Sequence, residues 1–130
     1  MDCEYRVSIQ WTETAKESLR QLPKKVRRGI LEKADRLADG GDPRDSCKPL
    51  TGPLQGYYRI VYSRYRAIFS VEEQRLADGG SVLHLTVLFI AAGIRREFDR
   101  NDVYKVAKKL VEQGLAGEVD DVEPSERPKR

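Results

Sequence analysis

Histidine, methionine and tryptophan each occur once in this 130-residue chain, and cysteine only twice. Cys3 and Cys47 stand without a CxxC pair or a His/Cys cluster, so neither a zinc site nor a disulfide framework is supported, and both are expected to be reduced thiols. No metal or other cofactor is expected. No apolar stretch approaches membrane-spanning length, and the opening MDCEYRVSIQW lacks a basic segment followed by a long apolar run, which predicts a soluble, cytoplasmic protein. The scarcity of histidine leaves acid–base chemistry at that residue a single candidate, His84. Its place near the start of an apolar strand reads as a partly buried structural residue. There is no internal repeat, and the length suits one domain with a modest core.

Charge, by contrast, is plentiful: 35% of the residues are Asp, Glu, Lys or Arg, with a net charge of +3. It is unevenly spread. Segment 116–130 holds Glu118, Asp120, Asp121, Glu123 and Glu126 against Arg127, Lys129 and Arg130, and removing its net −2 leaves a body at +5. Such a body accommodates a polyanionic partner. The stretch GEVDDVEPSERPKR is acidic, proline-bearing and poor in apolar residues, so the folded domain is expected over 1–115 and a disordered tail over 116–130.

Within the body, Tyr5, Val7 and Ile9 alternate with polar residues and predict a strand over Glu4–Gln10. Thr12 or Thr14 caps a helix bearing Ala15, Leu19 and Leu22, which Pro23 ends. A second helix from Lys24 to Ala38 carries Val26, Ile30, Ala34 and Leu37 on one stripe and Lys24, Lys25, Arg27 and Arg28 on the other. Gly40, Gly41, Asp42 and Pro43 then open a loop reaching Pro49. Two tyrosine-rich strands, Tyr57–Tyr62 and Tyr65–Val71, are followed by a polar connection over Glu72–Ser81 and an apolar central strand over Val82–Ala92 that Gly93 ends. Asn101 or Asp102 caps a final helix from Val103 to Gln113, apolar at Val103, Val106, Ala107 and Leu110, with Tyr104, Lys105, Lys108 and Lys109 mainly outward and Gly114 as its stop. The order β-α-α-β-β-β-α predicts an α+β fold: a small, mainly antiparallel four-stranded sheet with an N-terminal αα-hairpin and a C-terminal helix.

The two central strands are separated only by Ser63 and Arg64. With those two as the loop, Tyr62 opposes Tyr65, Val61 opposes Arg66 and Arg59 opposes Ile68. Tyr58, Ile60, Tyr62, Tyr65, Ala67 and Phe69 then form a core face. Tyr57, Arg59, Val61, Arg66, Ile68 and Ser70 form the other, and a three-residue loop would scramble both. Two arginines close together on one face repel unless an anion or a carboxylate joins them.

These segments in this order resemble the RelE/ParE superfamily of toxins from type II toxin–antitoxin modules. The resemblance covers roughly Tyr5 to Val111 and rests on Leu50 and Gly52, on Gly56-Tyr57-Tyr58-Arg59-Ile60, on Tyr65-Arg66-Ala67-Ile68, on Gly93-Ile94-Arg95-Arg96 and on Asp102-Val103-Tyr104. It implies a growth-halting protein held inactive by an antitoxin. In the RelE branch it implies a metal-independent endoribonuclease that cuts messenger RNA on the ribosome, with the ribose 2′-hydroxyl as nucleophile. Arg59, Arg66, Arg95 and Tyr104 resemble that branch's catalytic set. RNA contacts would extend over Lys24, Lys25, Arg27, Arg28, Arg96, Lys105 and Lys108. The pattern's second lysine is replaced by Val61, and the span from Gly93 to Tyr104 is longer than in RelE, leaving Phe98 as another stacking candidate. The alternatives are a ParE-like toxin that poisons DNA gyrase without nuclease activity, and an inactive homologue that keeps antitoxin binding.

Overall fold

The computed structural model describes residues 4–39, 41–75, 82–96 and 102–114. Cys3, the connection 76–81, Phe98 and the acidic segment 116–130 lie outside the described residues.

β1 (Glu4–Trp11) leads into α1 (Glu13–Arg20) and α2 (Lys24–Leu37); a short α3 (Pro43–Ser46) and a two-residue β2 (Lys48–Pro49) follow. A 3-10 turn (Gly52–Leu54), β3 (Tyr57–Tyr62), β4 (Tyr65–Arg75), β5 (Val82–Ile94) and α4 (Val103–Glu112) follow among the described residues. One sheet holds all five strands in the order β1-β5-β4-β3-β2. The sheet is antiparallel except where β1 lies parallel to β5, Glu4 beside Val82. The fold class is as expected, with one strand more than the four anticipated. The extra strand, β2, and the helix α3 lie in the segment that reads as loop, because both are very short and carry proline.

The caps follow the local chemistry. Thr12, buried, accepts from the Ala15 amide at 3.1 Å and starts α1. Asp102 accepts from the Tyr104 amide at 3.1 Å and starts α4, and Gly114 ends it with φ +74°. Two expected strand ends are corrected: β4 continues through Glu72 to Arg75, and β5 passes through Gly93 to Ile94. Gly93 stays in the strand, paired with Arg66 and facing Val103 of α4, where an added Cβ would make only ordinary contact.

The hairpin register is the predicted one, Tyr62 to Tyr65 through Tyr57 to Ser70, with Ser63 at φ +57° in the two-residue loop. Ile60, Ala67 and Phe69 lie in a core with Ile30, Ala34 and Phe89, under α1 and α2. Trp11 stacks on Phe89 at 4.2 Å and Phe69 meets Phe89 at 5.1 Å. The opposite face is also packed, a correction to the simple division into core and cationic faces. Ile68, Ile90, Ala91, Leu54, Val103 and Ala107 form a second cluster beneath α4 and the 3-10 turn.

One residue sets the phase of that second face. Ile68 pairs with Ala91 but Phe69 pairs with Phe89, so Ile90 is an extra residue in β5. Ile90 and Ala91 therefore both belong to the α4 side, and the alternation resumes with Gly93 and then Arg95 on that side. A strand without the bulge would aim Arg95 at the other face.

On α2, Gly29 lies against the Tyr62 ring, and an added Cβ would overlap it. Gly29→Ala is expected to destabilise the fold by about 1–2 kcal/mol, since overpacking exceeds the roughly 1 kcal/mol of helix propensity gained. Urea unfolding of Gly29→Ala alone and with Tyr62→Leu checks this; the second change should restore the midpoint.

Asp42 caps α3 at the Arg44 amide, 2.9 Å, and holds the Arg44 guanidinium at 2.7 Å, while Arg44 reaches Glu73 of β4 at 3.1 Å. Chiefly the Arg44 side-chain hydrogen bond holds the Asp42 carboxyl below the usual carboxylate range. A lowered folded value stabilises above the unfolded value, about 4, and that stability is lost as pH falls through the folded value. Asp42→Asn is therefore expected to flatten the fall in urea midpoint between about pH 5 and about pH 2. Nearby, Cys47 is half-buried, and burial pushes its thiol up, which disfavours the reactive thiolate.

Candidate functional site

On the α4 side of the sheet the expected catalytic residues sort themselves by partner. Arg59, in the middle of β3, donates from Nη1 to the Tyr104 hydroxyl at 2.5 Å. Arg95, just past the end of β5, lies with its guanidinium carbon 4.7 Å from the centre of the Tyr104 ring. Tyr104 is thus held at its oxygen by one arginine and across its ring by another. It is half-buried against Ile68 and Val103 rather than facing outward, because the first turn of α4 crosses β5 and the 3-10 turn.

The anchor of this group is Asp102, 1% exposed. One carboxylate oxygen accepts from Arg95 Nη1 at 2.8 Å and from the Arg96 amide at 2.5 Å, and the other accepts from the Tyr104 amide at 3.1 Å. The sequence offers Asn101 or Asp102 as the helix cap, and the structure uses Asp102. Its hold on Arg95 emerges only when the end of β5 and the start of α4 are side by side.

Arg66 lies on the same face as Arg59, as the pairing requires, but its head engages other partners. Its Nη1 donates to the carbonyls of Ser63 and Tyr65, both at 3.0 Å, at the hairpin turn. The Nε atoms of Arg59 and Arg66 are both buried without a hydrogen-bond partner. Val61 opposes Arg66 and is 38% exposed, so this place in the hairpin offers an apolar side chain to solvent.

A groove of about 440 Å³ opens beside Arg59 and Tyr104. Its apolar lining comes from Pro49, Leu50, Pro53 and Leu54, and its basic lining from Lys48, Arg59, Lys105 and Lys108. Lys48 is a site residue that the sequence reading missed: it comes to Arg59 through β2, where the two are paired. Lys105 and Lys108, expected on the outer face of α4, do face a cationic site.

The basic stripe of α2 lies elsewhere. α2 packs on the core under the opposite face of the sheet, so Lys24, Lys25, Arg27 and Arg28 are not brought to the Arg59 group. Lys24, Lys25 and Arg28 are exposed there, and Arg27 donates to the carbonyls of Arg20 and Leu22 at the end of α1, 3.1 and 3.5 Å away. His84 meets Ser8 of β1 at 2.8 Å and takes no part in the site. No cluster of metal-ligating side chains and no helix long and apolar enough to cross a membrane occurs among the described residues.

Chemically, the group supplies fixed positive charge, a hydroxyl and an aromatic face beside a basic groove. Guanidinium forks match phosphate oxygens. Tyrosine offers both hydrogen-bonding and a surface for a nucleobase.

No model of a known protein family matches the sequence, and no curated protein matches it. Solved structures do match. A chain of the RelBE2 toxin–antitoxin complex from Mycobacterium tuberculosis is 24% identical, covers 68% of this chain and 96% of its own, and superposes with a TM-score of 0.53. A free double arginine-to-alanine mutant of the E. coli toxin RelE is 18% identical over 86% of this chain and 98% of its own, TM-score 0.52. The same mutant bound to an antitoxin RelB peptide, also 18% identical, matches 87% of this chain with a TM-score of 0.50. The chain has the RelE-type fold.

Proposed function

We propose that this chain is the toxin of a type II toxin–antitoxin pair, a metal-independent endoribonuclease that cuts messenger RNA on the ribosome and so stops translation. The carrying observation is the Arg59–Tyr104–Arg95 group, tied down by Asp102 on the cationic side of a RelE-type fold. In this reading the message runs along the groove, its phosphates between Lys48, Arg59, Lys105 and Lys108. The ribose 2′-oxygen attacks the neighbouring phosphorus, the bond from phosphorus to the 5′-oxygen breaks, and a 2′,3′-cyclic phosphate and a 5′-hydroxyl result. Arg59 and Arg66, each with a buried unpaired Nε, and Arg95 stabilise the charge that builds on the phosphate oxygens.

Tyr104 accepts from Arg59, so its own hydroxyl hydrogen is free to be donated to the departing 5′-oxygen. The 2′-hydroxyl proton passes to water, because Val61 stands where a lysine could have taken it. The protein's share of the chemistry is then positioning, charge stabilisation and proton donation. Its cytoplasmic location and its cognate antitoxin partner belong to the same reading. Induced expression in growing cells, followed by mapping of message ends, tests it: cuts within translated regions are expected, and intact messages during growth arrest would overturn it.

A second reading is favoured by Val61 alone. A ParE-like toxin needs no proton-transfer residue there, and an exposed valine beside Arg66 suits a binding surface. Purified gyrase that keeps supercoiling DNA at high toxin excess would remove this reading. An inactive homologue that retains antitoxin binding would show neither effect.

A further inference from the structure

Lys48 and Arg59 stand directly opposite one another where β2 pairs with β3. Opposed residues of antiparallel strands point to the same face with their Cβ atoms about 5 Å apart, so two cations placed this way repel. Among the described residues neither makes an ion pair, and none of the residues lining the groove they share is acidic. The Nε of Arg59 is buried without a hydrogen-bond partner. The pairing is also local rather than a by-product of a long ladder, since β2 is only Lys48 and Pro49 and is the outermost strand on its side of the sheet. The Leu50 amide donates to the Tyr57 carbonyl at 2.9 Å, so alternation turns the Pro49 position outward, where its missing amide costs the ladder nothing, and turns Lys48 back onto β3. What β2 accomplishes is to bring one lysine opposite Arg59.

We infer that Lys48 and Arg59 grip a single phosphate between them, as a cross-strand clamp that is repulsive when free and attractive when it holds a phosphodiester of a single-stranded polynucleotide. The guanidinium fork takes the phosphate oxygens in a fixed geometry, and the lysine ammonium, a point charge on a flexible stem, closes on them from β2. A phosphodiester suits the place better than a bare inorganic anion does. The groove of about 440 Å³ is lined by Pro49, Leu50, Pro53 and Leu54 as well as by the cations, and a flanking nucleoside has apolar surface to cover there. A lysine on an edge strand also discourages sheet-to-sheet association, but that role asks nothing of Arg59. The inference rests on reading this site as one for a nucleic-acid backbone, and not on whether the strand is cut.

The full chain, Lys48→Gln, Arg59→Gln and the double variant, compared in two measurements, test the clamp. The first is affinity for a fluorescein-labelled deoxythymidylate hexamer, whose missing 2′-hydroxyl keeps it uncut, so the result stands apart from message cleavage. Each single change is expected to weaken binding about tenfold. Both together should cost only about 10–30-fold, not the roughly hundredfold of independent sites, because the second change acts on a phosphate already released. The second measurement is urea unfolding without the hexamer. Lys48→Gln is expected to raise the midpoint by about 0.1–0.5 M at low salt, a gain that added salt erases and that is absent in the Arg59→Gln background. Three results would each overturn the inference. Binding untouched by Lys48→Gln leaves an edge lysine and nothing more. Losses that multiply put the two cations on separate phosphates. A midpoint that falls on Lys48→Gln makes the lysine a support of β2 rather than one half of a repelling pair.

Discussion

Arg59→Ala is expected to slow message cleavage by about 10²–10³-fold, the usual cost of removing one preorganised donor from a developing oxyanion. The size follows from where Arg59 sits. It is in the middle of β3, between Lys48 and Ile68 in the sheet, with Nη1 on Tyr104 and a buried Nε that no protein group accepts. The fold therefore makes little use of this guanidinium. Its loss frees a half-buried phenol at the edge of an open groove, which water can rehydrate, so the unfolding midpoint should move by less than about 1 kcal/mol equivalent. Arg59→Lys keeps the charge but loses the fork, and should fall between. Single-turnover cleavage on purified ribosomes, beside urea unfolding of the same proteins, measures both. Unchanged cleavage by Arg59→Ala would remove the central piece of the proposed chemistry.

Asp102→Ala is expected to act on the fold itself, with a loss of about 2–4 kcal/mol and a melting temperature lower by roughly 10–15 °C. Three contributions combine. The α4 cap at the Tyr104 amide is worth about 1 kcal/mol. The Arg96 amide loses the carboxylate oxygen it donates to, and Arg95 loses a charge-assisted bond to a buried partner. The Arg95 contribution is discounted because that side chain is one-third exposed and water recovers part of it. Asp102→Asn retains an acceptor for the cap and should lose about half as much. Calorimetry separates the two variants. A melting temperature unmoved by Asp102→Ala would mean that α4 is held by its apolar face alone, and that Arg95 and Tyr104 need no common anchor.

The hairpin was the most legible part of the chain. Tyrosines and β-branched residues on both sides of Ser63-Arg64 leave one two-residue register, and that register alone put Arg59 and Arg66 on one face. Pro23 and the cap candidates Thr12 or Thr14 and Asn101 or Asp102 mark helix boundaries through proline geometry and local hydrogen bonding, and the structure selects Thr12 and Asp102. What stayed hidden depended on contacts distant in sequence. β2 is two residues long and half of it is proline, so no periodicity announces it, and Lys48 arrives at the site only through it. The Ile90 bulge lies in a run of consecutive apolar residues, where a slip in phase leaves no trace in the pattern. Arg59 and Arg66 share a face, but which partner each head selects depends on where α4 and the hairpin turn come to rest.

The sheet order also bears on how the molecule is made. β1 precedes the other described elements, yet its sheet partner among the described residues is β5, with Glu4 beside Val82. β5 also supports β4 on its other edge, and Asp102 and Tyr104 come later still. Because a chain is released from its N-terminus onward, β1 waits for this partner until Val82–Ile94 has emerged. Arg59 and Arg66 leave the ribosome well before the residues that orient Arg59 and anchor Arg95. A copy that stops short of α4 thus has the hairpin but no assembled site.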